Sequence, residues 1–180
     1  MERTLKKSTA FLAIVAVFAM VCTGCKKNDS SSDNGGGVVP PTINYGTVQV
    51  GDQSYSIVIA GYDAYYDEDM EADVVIIAMG DSADQNANMF GMTFTHVVEI
   101  PEGTFHYSIA NPLPEGVCSG MLKDSDNNVL FCKIGDVTIE KKGANYKIES
   151  AGTASPTGLG AQGSSQQFSV SFEGPLYKGE

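Results

Sequence analysis

Between Phe90 and Ile100 every second residue is apolar or aromatic, with Phe90, Met92, Phe94, Val98 and Ile100 in the series and His96 the one exception. Period two belongs to an extended chain, whose successive side chains leave opposite faces; a helix would repeat near 3.6. Gly91, Thr93, Thr95 and Glu99 fill the other positions, so a strand with one buried and one wet face is expected. Pro101-Glu102-Gly103 follows as a turn, and Phe105, Tyr107 and Ile109 then resume the alternation against His106 and Ser108. That is the pattern of a hairpin. In its simplest register His96 faces Ser108 and His106 faces Val98. The two histidines are then unopposed, neither has further ligands at metal-binding spacing, and no metal site is expected.

Similar short runs lie at 46–50, 54–61, 73–79, 117–123, 129–134, 136–140, 145–150 and 167–172, for about ten strands in all. Val74-Val75-Ile76-Ile77 is apolar on both faces and predicts a central strand covered on both sides. No amphipathic helix is expected, although 81–88 has room for a single turn. A weak internal echo adds to this: Gly46-Thr47-Val48-Gln49-Val50 leads to Tyr55-Ser56-Ile57, and Gly135-Asp136-Val137-Thr138-Ile139 leads to Tyr146-Lys147-Ile148. Each reads as a hairpin bent at Asp52-Gln53 or Lys142-Gly143. The expected fold is all-β: an antiparallel barrel of about eight to ten strands, with a two-sheet sandwich as the alternative. Residues 43–180 are one domain's worth of chain.

The N-terminus has a different character. Arg3, Lys6 and Lys7 precede an uncharged apolar run over 11–21, which is the order of a secretory signal peptide and about half the length of a membrane-spanning helix. Cys22-Thr23-Gly24-Cys25 ends the run and resembles the lipobox of bacterial lipoproteins. Cys25 is the expected acceptor, because small Gly24 precedes it whereas bulky Val21 precedes Cys22. The resemblance implies a leader over 1–24, cleavage before Cys25 and lipid on that cysteine. Residues 25–42 are rich in Ser, Gly and Asn, as in a flexible tether. Lys26 stands where an Asp would resemble an inner-membrane retention signal, so the outer membrane is the expected location.

The chain holds 11 Lys+Arg and 22 Asp+Glu. Removing Glu2, Arg3, Lys6 and Lys7 with the leader leaves a net charge of about −13, which repels nucleic acid and anionic lipid. Nucleic acid is not an expected partner. Towards the C-terminus, Val137 to Ile139, Tyr146-Lys147-Ile148 and Phe168-Ser169-Val170-Ser171-Phe172-Glu173-Gly174-Pro175-Leu176 are similar to the ending of small uncharacterised lipoproteins of Gram-negative gut anaerobes. Pro101-Glu102-Gly103-Thr104-Phe105 resembles their P-x-G-T-[Y/F] turn. The likeness implies a calycin-like or lipocalin-like barrel, or a sandwich, and carries no catalytic residue across.

Candidate site residues are few. Cys118 and Cys132 flank 124–128; if Lys123 faces Asn127 they stand opposite each other, and a disulfide contributing about 3 kcal/mol is expected in an oxidising compartment. A redox or nucleophilic role lacks a C-x-x-C. Asp124-x-Asp126-x-Asn128 copies the opening of a calcium loop, but Val129 stands where Gly belongs and Gly135 where a bidentate Glu belongs, so a solvated turn is expected. Asp63, Asp67, Glu68, Asp69, Glu71 and Asp73 are interleaved with Tyr62, Tyr65 and Tyr66. A solvated loop is the plainer reading of that run. Tyr62, Tyr65, Tyr66, Asp67 and Asp69 are nevertheless the candidates for a binding lip, with rings to stack and carboxylates to accept. The third reading is a glycosidase pair.

No G-x-S-x-G, phosphate loop or dinucleotide fingerprint occurs, and Gly158-Leu159-Gly160-Ala161-Gln162-Gly163 lacks the strand-to-helix setting. No cofactor and no catalysis are expected. The expected function is that of a membrane-anchored binding or interaction module taking a glycan, a peptide or a small apolar ligand. The alternative is a surface hydrolase using the acidic loop.

Overall fold

The computed structural model describes residues 43–84, 86–156 and 164–179, and every regular element in them is a strand. The leader, Cys25 and the tether lie outside the described residues, as does the Gly158–Gly163 stretch. β1 (Gly46–Val50) and β2 (Gln53–Ile57) form a hairpin with register Val50↔Gln53. Gly51 sits at φ 57° as the first of its two loop residues, and Gly143 at φ 66° plays the same part between Lys142 and Asn145. A glycine in the first loop position, followed by a residue of ordinary φ, is the pattern of a type II′ turn. Both hairpins of the internal echo therefore exist, each with its bend one residue from the expected place.

β3 (Ile59–Asp67) follows β2 after the single residue Val58, whose N–H donates to the Gly80 carbonyl at 2.9 Å. β4 (Ala72–Gly80), β5 (Met89–Thr95), β6 (Gly103–Tyr107) and β7 (Val117–Lys123) come next. β8 (Val129–Lys142), β9 (Asn145–Ser155), β10 (Gln166–Gly174) and β11 (Tyr177–Lys178) complete the strands among the described residues. All belong to one sheet of order β11-β3-β4-β5-β7-β6-β8-β9-β10-β1-β2, curled into a half-barrel. Its pairs β6–β7 and β11–β3 are parallel, so the sheet is mixed where a purely antiparallel one was expected.

The concave side encloses the main core. Phe90, Phe94, Phe168 and Phe172 fill its middle with Ile57, Ile77, Met79, Ile139 and Ile148 around them. Ring pairs knit distant strands together: Phe94 meets Phe105 edge-on at 5.1 Å and Tyr107 meets Phe168 at 5.8 Å. A second cluster forms on the opposite side of β4, where Val74, Ile76 and Ala78 pack with Met89, Met121, Met70 and Phe131. β4 is thus buried on both faces, as its apolar run predicted.

β5 is also buried on both faces and not on one, since Gly91, Thr93 and Thr95 lie towards this second cluster side. The strand stops at Thr95. His96 turns to φ 61° and donates its N–H to the Asp73 carbonyl at 2.7 Å. From there the chain does not fold back on β5. β5 pairs with β4 and β7, while β6 pairs with β8 through Thr104↔Thr138 and His106↔Asp136. The expected hairpin across Pro101 is therefore absent. Phe105 reaches Phe94 through the core instead of along a shared ladder, which satisfies the same apolar pattern with a different partner.

β8 and β9 are the longest strands and must bend to serve both the middle and the end of the half-barrel. A bulge between Cys132 and Ile134 and the cross-strand pair Gly135↔Gly152 mark the bend. There the backbones close in: a Cβ on Gly152 would lie 2.1 Å from the Ile134 carbonyl oxygen, and one on Gly135 2.1 Å from that of Ala151. Gly152→Ala should therefore lower stability by about 1–3 kcal/mol or more, because backbone on both sides blocks relaxation. Exposed Ser169→Ala on the neighbouring strand should stay within about 0.5 kcal/mol of the parent. Urea unfolding of the two variants checks this; equal midpoints would show that the strands do not need the close approach.

Candidate functional site

The half of the sheet made by β6, β8, β9, β10, β1 and β2 turns an apolar face inward and a polar face outward. Strand pairing sets the outward residues in two rows across the strands. One runs Thr104–Thr138–Glu149–Ser171–Thr47–Ser56, and the other His106–Asp136–Ala151–Ser169–Gln49–Ser54. Neighbours within a row are about 4.8 Å apart and the rows about 7 Å apart, as sheet geometry dictates. Between them lies an open groove of about 600 Å³, lined by Thr47, Gln49, Asp136, Thr138, Glu149 and Ser169 among others.

Several of these side chains hold one another. Thr104 and Thr138 hydroxyls are 3.0 Å apart, and Ser171 Oγ donates to Glu149 Oε1 at 3.2 Å. Lys147 Nζ stands 3.3 Å from the same carboxylate oxygen. His106 Nδ1 contacts the Asp136 carboxylate at the edge of the groove, both side chains being exposed. Beneath them runs a buried chain. Ser150 Oγ donates to the Asp136 carbonyl at 3.0 Å, which leaves it to accept from Tyr107 Oη at 2.6 Å. Burial pushes the Tyr107 phenol far above its ordinary pKa, so it stays a neutral donor. This chain ties β6, β8 and β9 together directly under His106 and Asp136.

The residues singled out from sequence are placed elsewhere. Tyr62 packs on the main core, Tyr65 packs on the second cluster, and Tyr66 is 58% exposed at the end of β3. Asp67 Oδ1 accepts from the N–H groups of Asp69 and Met70 at 3.0 and 2.9 Å, closing the turn into β4. Tyr62, Tyr65, Tyr66, Asp67 and Asp69 are thus not brought to one surface, since consecutive strand residues leave opposite faces. The Asp124 carboxylate is likewise taken up inside its own turn, accepting from Asp126 N, Asn128 N and Asn128 Nδ2 at 2.8–2.9 Å. Among the described residues no group of three or more His, Cys, Asp or Glu side chains is arranged to hold a metal ion.

Cys118 and Cys132 are buried free thiols, and the expected bridge between them is absent. The β7–β8 register runs Lys123↔Val129 and not Lys123↔Asn127, which shifts the partner of Cys132 away from Cys118. β6 then wedges between the outer parts of β7 and β8, pairing Tyr107 with Cys118. The Tyr107 ring and Cys132 Sγ crowd the space over Gly120, where a Cβ would meet them at 2.5 and 2.9 Å. Burial pushes the Cys118 thiol up to about 12, and Cys132 higher still. The reactive thiolate is therefore scarce at neutral pH.

The groove residues were not found from sequence. Their one signal is that Ser54, Ser56, Ser169 and Ser171 alternate with inward Tyr55, Phe168, Val170 and Phe172. No protein-family model matches the chain, and comparison with curated proteins and with solved structures returns no match.

Ser150→Ala should cost about 1–3 kcal/mol, because it leaves the Tyr107 hydroxyl buried without its acceptor. Adding Tyr107→Phe to it should recover part of that loss; no recovery in urea unfolding would break the assigned donor order. Both cysteines should resist a thiol reagent in the native protein and react together on unfolding. A Cys118–Cys132 peptide in a non-reduced digest would overturn the β7–β8 register.

Proposed function

We propose that this chain is an exported, lipid-anchored binding module of the bacterial cell envelope, held by lipid on Cys25 at the outer membrane and acting without catalysis. The leader over 1–24, the Gly24-Cys25 junction and the polar stretch over 25–42 support the anchor. A ligand bound on the outside of the sheet is supported by one observation above all. The concave interior is occupied by Phe90, Phe94, Phe168 and Phe172, whereas the polar groove lies open on the opposite surface. A volume of about 600 Å³ falls within the usual range of ligand sites.

The same packing bears on the finer description of the fold. Core residues come from strands along nearly the whole sheet, from Ala60 in β3 near one end to Ile57 in β2 at the other. We read it as a filled, calycin-like barrel left open at a seam, in preference to two separate layers, and as unsuited to a small apolar ligand in its centre. A hydrolase remains the second reading, on the strength of the His106–Asp136 contact at the groove edge. An orienting carboxylate beside an imidazole is the geometry of a general base. In that reading His106→Asn would abolish turnover while leaving ligand affinity in place.

The anchor is tested in cells. Wild-type protein should partition with the membrane fraction and carry the mass of an acylated N-terminal cysteine. Cys25→Ala should appear in the soluble fraction or as an unprocessed precursor. Unchanged membrane retention of that variant would overturn the anchor.

A further inference from the structure

We propose that the outer groove takes a neutral, extended polysaccharide lying across the strands, a proposal that rests on the reading of this face as the binding surface. β8, β9, β10 and β1 are inner strands of the sheet and β2 is its edge, so the middle of the surface offers a ligand few free backbone groups. What it does offer is side-chain hydroxyls, one amide and two carboxylates. Thr47, Thr138, Ser54, Ser169 and Ser171 can each donate and accept, Gln49 does both through separate atoms, and Asp136 and Glu149 accept only. Such a set matches a ligand whose own surface is made of hydroxyls. A peptide would seek backbone partners at a sheet edge or apolar pockets between side chains; the groove meets an edge only at β2, where Ser54 lies, and Ala151 is the outward apolar side chain in its rows.

Charge narrows the class further. The groove is lined by two carboxylates and by no lysine or arginine. Lys147, two residues before Glu149 on β9, is engaged with the Glu149 carboxylate. A uronic-acid polymer or a sulfated glycan would meet uncompensated repulsion, whereas vicinal hydroxyls of a neutral sugar suit a carboxylate acceptor.

Geometry sets the direction. Equivalent positions repeat across the strands at about 4.8 Å, close to the rise of one pyranose in an extended β-linked chain. Two parallel rows then address the two edges of such a chain. The second row is low at Ala151, and Gly135 beside it carries no side chain. Sheet twist turns each strand by about 20–25° from the last, which limits a straight oligosaccharide to about four strands, β8 to β1.

The test uses the mature chain carrying Cys25→Ala, followed by amide chemical shifts and calorimetry. The probes are neutral β1,4-linked hexasaccharides of glucose, mannose and xylose, an oligogalacturonide, and an extended uncharged peptide. We expect at least one neutral hexasaccharide to shift amides of both rows and to bind at least tenfold tighter than its disaccharide. Ser169→Arg, on an exposed position, should weaken it at least tenfold with an unchanged melting temperature. If the oligogalacturonide or the peptide shifts the rows and no neutral sugar does, the ligand class falls and the binding face stands. If none of the probes shifts the rows, or if Ser169→Arg leaves a neutral sugar bound as before, the proposal falls; shifts confined to the loops would take the binding face with it.

Discussion

Two glycines facing each other across β8 and β9 are the constraint on which the rest of this fold depends. A sheet of 11 strands can wrap around one core only if its longest members change direction sharply. Gly135 and Gly152 allow the backbones to approach where any Cβ would strike a carbonyl oxygen, and the adjacent bulge adds local twist. Past the bend, β8 leaves β7 and receives β6 along its edge. That exchange of partners builds the half-barrel. It places Phe105 and Tyr107 over the aromatic core, and it sets Thr104 and His106 at the start of the two outward rows.

Local structure was legible in the sequence to the extent that it is decided locally. β1 and β7 occupy the expected residues, β4 and β10 differ by a residue or two at the ends, and the two-sided burial of β4 follows directly from its unbroken apolar run. Partnership was not legible. Alternation in Phe90–Ile100 and in Thr104–Ile109 states that both segments are extended, and the turn between them suggests that they pair. Nothing in that pattern measures the competing pull of β8, more than 30 residues away. His96 at positive φ is the physical break, and a histidine carries no mark for it in sequence. Residues 62–67 were missed as strand for a related reason: carboxylates and tyrosines suggested a loop, yet Ala60, Tyr62 and Ala64 still point one apolar edge at the core.

The candidate site was illegible for a deeper reason than fold. A run such as Tyr62 to Glu71 draws notice because its chemistry is concentrated in sequence, but a strand divides adjacent residues between two faces and so disperses it. The groove is built the other way, from one or two short polar residues on each of five strands. Each Ser or Thr by itself is only the solvent side of a strand. Pairing turns them into rows, and pairing is what the sequence did not reveal. The cysteines teach the same lesson on a smaller scale, since a two-residue shift in the β7–β8 register separates thiols that an assumed register had joined.

The sheet therefore has two halves with different freedoms. In β3, β4 and β5 both faces are occupied by apolar packing, so a substitution on either side meets neighbours and changes stability. In β9, β10, β1 and the part of β8 beyond its bend only the inner face is committed. Ser169, Ser171, Thr47 and Gln49 can change chemistry without touching Phe168, Val170 or Val48, because the strand itself separates them. Recognition placed on that outward face can be altered with little loss of the core. The Tyr107–Ser150–Asp136 chain then keeps the frame beneath it rigid, which lets exposed side chains present a defined surface without being buried themselves.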